Sequence, residues 1–161
     1  MSDYYTFVMN PQRDIKFDEL LEWVRELRRR GLSLLIYNRA GDTLYSSGEG
    51  GVKPLIDAVE SLGLRRLRGC ILVDKVVGRA AALIAAYIHA SEVHAAVMSW
   101  GAEKTLHRFG IPYSFLVETP YIRGRRGGRC PFERIVEGVD DPEEAYRRVR
   151  GLLSRLMEAA T

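Results

Sequence analysis

Two cysteines, three histidines and no long apolar run are what this 161-residue sequence offers where many proteins advertise their chemistry. Cys70 and Cys130 are too few for a disulfide framework, and a chain of this length buries a sufficient core without one. They suit a reducing compartment, with a single Cys70–Cys130 bridge as the less favoured alternative. His89, His94 and His107 show no ligand spacing, and "VHAAV" misses H-x-E because position 96 is alanine. No metal and no cofactor is therefore expected. No stretch approaches the roughly 18 to 20 apolar residues of a membrane helix. The opening "MSDYYTFVMNPQRD" lacks the basic-then-apolar layout of a secretion signal, so the cytoplasm is the expected location. Asn and Gln are scarce and arginine outnumbers lysine, a balance found in heat-adapted proteins that bears on stability rather than chemistry.

What is present describes a globular domain. Hydrophobic residues make up 47% and charged residues 28%, and a net charge of +3 is small for a nucleic-acid binder, although the pI is near 9.0. "FDELLEWVRELRRRG" sets Phe17, Leu20, Leu21, Val24 and Leu27 at helical spacing and stops at Gly31. "LSLLIYN", the turn "RAGD" and "TLYSS" read as a hairpin. Pro54 opens a helix that "LIDAVESLG" carries to Gly63. "GCILVD" is a buried strand ending in Asp74 and Lys75, and the alanines after Gly78 favour helix to about Ala90. Strand "VHAAVMS", helix "AEKTLHRFG" and strand "YSFLVE" follow. A Gly- and Arg-rich loop over 119–129 leads to a short helix from Pro131, and Asp141 caps a last helix begun by Pro142. With no repeat or linker, 1–161 reads as one domain, its core about 17–120 and its loop and C-terminal helices 121–161. The order predicts a three-layer α/β fold. Its mixed five-stranded sheet has an N-terminal antiparallel hairpin, largely parallel remaining strands, helices on both faces and a C-terminal helix.

That order resembles the cytidine-deaminase-like fold, whose zinc ligands sit at the starts of the second and third helices in H-x-E and P-C-x-x-C motifs. The corresponding stretches here, "SSGEGGVKPL" and "DKVVGRAAA", carry neither histidine nor cysteine. Together with "TPYIRGRRGGRCPFE" and "DDPEEAY", the strings "SSGEGGVKPL" and "DKVVGRAAALIAAY" resemble an uncharacterised prokaryotic family, domain of unknown function 1893, over roughly residues 17–150. The sequence departs from that family's pattern at Gly124, where asparagine is expected. The resemblance implies a deaminase-like fold without zinc and assigns no reaction.

In such a layout the two helix starts converge, and their free N–H groups and positive dipole ends suit an anion in place of the metal. Ser47, Gly48, Gly50, Gly51, Lys53 and Gly78 are the candidate ligand contacts there, the glycines allowing close backbone approach. The plain alternative is a turn and a helix cap. Asp74 and Lys75, at a strand end, are catalytic candidates, Asp74 as an acid–base or orienting carboxylate and Lys75 as an anion contact, a base or an amine nucleophile; the alternative is a surface ion pair that caps the next helix. Cys130, flanked by Arg129 and Arg134 before a helix, is the candidate nucleophile with Glu133 as its acid–base partner. Alternatively, Cys130 is inert and Glu133 complements the helix dipole. Cys70 belongs to the core. Arg123 and Arg125, near Tyr121 and Phe132, are candidates for clamping phosphate, or in a less favoured reading for tracking RNA or DNA. The expected protein thus binds a small anionic metabolite, a nucleotide or phosphate compound, as a Cys/Lys/Asp-based enzyme or as a regulatory module. Homo-oligomerisation stays open.

Overall fold

The computed structural model describes residues 17–161; the opening segment, 1–16, on which the cytoplasmic expectation rests, lies outside the described residues. Helix α1 (Phe17–Arg29) buries Leu20 and Leu27, while Phe17, counted in its apolar stripe, is exposed at the first turn. Gly31, at φ 63, ends it with the Leu32 N–H on the Leu27 carbonyl at 2.8 Å, the bond pattern that left-handed glycine makes possible. Strands β1 (Leu34–Tyr37) and β2 (Thr43–Ser47) form the hairpin. Its turn is held by the Asp42 N–H on Asn38 Oδ1 at 2.9 Å.

Helix α2 (Lys53–Leu67) does not stop at Gly63. The backbone breaks there, at φ 77 and ψ 163, and the helix resumes because one further turn buries Leu67 completely. Strand β3 (Ile71–Val77) also outruns its expected end. Asp74, Val76 and Val77 all pair with β4, which leaves Asp74 and Lys75 inside the strand. Helix α3 (Arg79–Tyr87) ends before Ala90, and His89 takes φ 54 on the way into β4 (Glu92–Ser99). Helix α4 (Trp100–Arg108), strand β5 (Tyr113–Thr119), the short α5 (Pro131–Ile135) and α6 (Pro142–Ala159) complete the chain. Asp141 caps α6 by accepting the Glu144 N–H at 3.0 Å.

The sheet order is β2-β1-β3-β4-β5, with β1 antiparallel to both neighbours and β3, β4 and β5 parallel. Alternation along the strands gives the sheet two coverings. Leu35 and Val73 face α1, whereas Leu34, Ile36, Leu72, Val93 and Phe115 face the layer built from α2, α3 and α4. Ala80, Ala82, Ala85 and Ala86 of α3 are buried, their small side chains admitting helices on several sides. Helix α6 lies across α3, where Tyr146 stacks on Tyr87 at 4.7 Å and donates to Glu60 at 3.0 Å. None of the described helices is long and apolar enough to cross a membrane. The topology has one positional consequence: β2, β3, β4 and β5 all finish, and α2, α3 and α4 all begin, at the same edge of the sheet.

Candidate functional site

That carboxyl edge is where open α/β sheets bind ligands, because loops there diverge and helix N-termini point inward. The chain after β5 runs along it. Ile122 approaches Gly78 at the end of β3, and Arg125 reaches back to Gly50 in the loop after β2. An Arg123–Arg129 bridge then folds the segment on itself, and the Cys130 N–H bonds the Ile122 carbonyl at 3.1 Å. Residues 119–130 thus form a strap over the sheet edge. The strap draws Gly50, Gly78, Arg125, Cys130 and Glu133 into one region despite their separation in sequence.

The start of α3 is closed by the chain itself. Glu133 Oε1 accepts the Arg79 N–H at 2.7 Å and Oε2 accepts the Ala80 N–H at 2.8 Å. Gly78 is the N-cap and has no side chain to offer; a Cβ there would lie 2.2 Å from Glu133 Oε1 and 2.8 Å from an Ile122 side-chain carbon. Glycine is needed for this close approach, not for an unusual dihedral, since its φ is −102. Burial raises the Glu133 pKa, and the two amide bonds and Arg79 partly offset this. The dipole that Glu133 complements is that of α3, 54 positions away in sequence, and not that of its own short helix.

The start of α2 has no such closure. Its N-cap residue, Val52, supplies no side-chain bond, and Gly51 preceding it stands at φ 76. Ser47 Oγ accepts the Glu49 N–H at 3.1 Å. A Cβ on Gly48 would meet the Gly31 carbonyl at 2.8 Å, so this glycine serves the packing of the α1–β1 turn. Lys53 is bonded to Asp57 at 2.6 Å and to Glu49 at 3.0 Å, which hold its ammonium pKa above the ordinary value. What reaches the open loop is the guanidinium of Arg125, whose Nη2 would lie 3.2 Å from a Cβ on Gly50. Lys75, Arg123 and Arg125 are exposed and enter no ion pair with the described residues. Val76, Trp100 and Tyr121, each exposed by two-fifths or more, stand at or just past the ends of β3, β4 and β5.

Asp74 shares a row across three strands with Leu34 and Ser47. Burial lifts its carboxyl to about 7, against the pull of neighbouring backbone N–H groups such as that of Val76, 3.2 Å from Oδ1. Cys130 is half-buried at the start of α5 with a free thiol. Cys70 is free and buried just before β3, and desolvation raises its thiol to about 12. The two cysteines lie beyond opposite ends of β3, roughly 20 Å of strand apart, far beyond disulfide reach. Among the described residues, no group of three or more His, Cys, Asp and Glu is arranged to hold a metal ion.

Two polar groupings were not visible in the sequence. His94 Nδ1 lies 2.7 Å from Ser114 Oγ and Nε2 lies 2.8 Å from Glu92 Oε2, with the ring stacked on Trp23 at 4.5 Å. All three polar residues are buried beneath α1, which makes the set an anchor for that helix. Its one sequence signal is the i, i+2 pairing of Glu92 and His94 on one strand face. Glu103 and Glu118, 15 positions apart, meet between α4 and β5. Burial, together with the Glu118 carboxylate, lifts Glu103 to about 7.

Comparison with known families adds a kinship. The family profile described as "Domain of unknown function (DUF1893)" matches residues 22–153. The chain belongs to that family. It is similar to the crystal structure of a DUF1893 family protein from Thermotoga maritima at 30% identity, with a TM-score of 0.73, covering 92% of this chain and 97% of that one. No curated protein matches. The family match spans the α2 start, the "DKVVG" strand end, the strap and "CPFE", the segments that meet at the carboxyl edge.

Proposed function

We propose that this DUF1893 protein is a zinc-independent, deaminase-like binding module for a small anionic metabolite, a nucleotide or related phosphate compound. The element order and the sheet order β2-β1-β3-β4-β5 support the deaminase-like reading, and a cytoplasmic location accords with its free thiols. The reading rests on one observation: the strap delivers the Arg125 guanidinium to Gly50, beside the α2 start that no N-cap side chain closes. Phosphate oxygens there would meet the positive dipole end of α2 on one side, although Pro54 has no N–H and the Leu55 and Ile56 N–H groups donate to the Val52 carbonyl, and a fork of guanidinium donors on the other. Lys75 and Arg123 add charge, and Trp100 and Tyr121 offer faces for a planar base.

Binding without turnover is the favoured form, because Glu133, the candidate acid–base partner of Cys130, already serves the α3 amides. Thermal unfolding in the presence of inorganic phosphate, AMP and ATP tests the reading. A ligand at a hundred times its Kd stabilises by about 2.7 kcal/mol, a rise in Tm of several degrees for a chain of this size. That rise should fall markedly in Arg125→Ala and by less in Lys75→Ala. A panel without any shift, or a shift of undiminished size in both variants, refutes it. Turnover abolished by Cys130→Ser or Asp74→Asn with affinity kept would replace the module with an enzyme.

A further inference from the structure

Beside the start of α3, between α3, α4 and the segment that leads into α6, the helical layer holds a cavity of about 120 Å³, lined by Arg79, Leu83, Lys104, Thr105, Arg108, Phe109 and Asp140. We infer that this cavity is a second anion site, one that takes a phosphate group, either inorganic phosphate or the terminal phosphate of a small phosphorylated compound.

The first argument is charge. Three cationic side chains face one carboxylate, Asp140, which Arg79 meets at 3.3 Å and Arg108 at 3.0 Å. Two positive charges are left uncompensated, which matches a phosphate monoester at roughly −1.5 to −2 near neutral pH. Lys104 is exposed and forms no ion pair with the described residues.

The second argument is preorganisation. The Arg79 side chain is tied to the Val136 carbonyl at 3.5 Å, to Thr105 Oγ1 at 3.3 Å and to the Val139 carbonyl. Its backbone N–H is held by Glu133. A guanidinium fixed in this way loses little freedom when a ligand arrives. One of its five N–H donors is still unassigned, and Lys104 contributes three more. Leu83 and Phe109 supply apolar wall, with the Arg108 guanidinium 5.8 Å from the Phe109 ring centre. The third argument is size. The cavity is well below the several hundred Å³ of pockets that enclose drug-sized ligands, so it suits an anionic head group with any remainder outside.

Titration calorimetry at low ionic strength with inorganic phosphate and with methyl phosphate, against chloride at matched ionic strength, tests this. Saturable binding of phosphate is expected, and retention of methyl phosphate identifies monoesters as ligands, whereas its rejection restricts the site to the free ion. In the Arg125→Ala background, which silences the sheet edge, Lys104→Glu should abolish binding and Arg108→Ala should weaken it by about tenfold or more. Asp140→Asn, which removes the one negative charge at the rim, should tighten it. Lys104 is exposed, so Lys104→Glu leaves the fold intact. Arg125→Ala separates this site from the sheet edge and should leave the Lys104-dependent binding unchanged. Phosphate heats equal to those of chloride, or binding indifferent to Lys104→Glu and Arg108→Ala, overturn the inference.

Discussion

The starts of α2 and α3 face the same edge of the sheet and follow similar glycine-bearing turns, yet one is open and the other closed. At α3 the amides of Arg79 and Ala80 already hold the carboxylate of Glu133, fitted against a glycine that tolerates nothing larger. At α2 a valine N-cap leaves the first turn without a side-chain partner, and the nearest remote group is cationic Arg125. A helix N-terminus attracts anions wherever it occurs. What separates a binding site from a structural joint is whether the chain has already supplied the anion.

The largest effect should come from Gly78→Ala. A Cβ 2.2 Å from the Glu133 carboxylate must displace it, at a cost of about 3 kcal/mol in urea unfolding. The same substitution should cost less once Glu133 is alanine, a coupling that a double-mutant cycle reads directly; equal costs in both backgrounds would show that Glu133 is not what Gly78 accommodates.

Glu133→Ala alone should cost about 2 kcal/mol, since two amides lose a charged acceptor. It should also make the helix starts alike, adding a phosphate-induced rise in Tm beyond the one that Arg125→Ala alone retains. No such rise would mean that α3 cannot serve as an anion site even when vacated.

Asp74, between the two starts, gives a smaller, pH-dependent effect. Its folded pKa of about 7 exceeds the ordinary 3.8 of an aspartate, so between those values the folded state holds more protons and stability falls as pH rises. With partial exposure taken into account, the slope should be about 1 kcal/mol per pH unit. Asp74→Asn should therefore stabilise at pH 8 and be neutral near pH 4; a gap independent of pH would rule out this origin. Smallest is Lys53→Met, which removes two surface ion pairs beside the open α2 start and should leave the urea midpoint nearly unchanged, since solvent and salt screen such pairs.

Local physics determined what the sequence could settle alone. Alternation, helical spacing, Gly31 and the Asp141–Pro142 cap were sufficient for the elements, their order and a mixed five-stranded sheet, because each signal acts within a few residues. They erred where burial overrode a local stop, as when Leu67 drew α2 past Gly63 and pairing with β4 carried β3 past Lys75. The candidate site residues were legible as types and as motifs. Only the tertiary structure decided that Glu133 closes α3, that Arg125 lies at α2, that His94 anchors α1, and that Arg79, Lys104, Arg108 and Asp140 surround one cavity. Each joins residues brought together by strand order and by a strap crossing the sheet edge. Electrostatics and close contact act through space, and spacing along the chain carries no record of them.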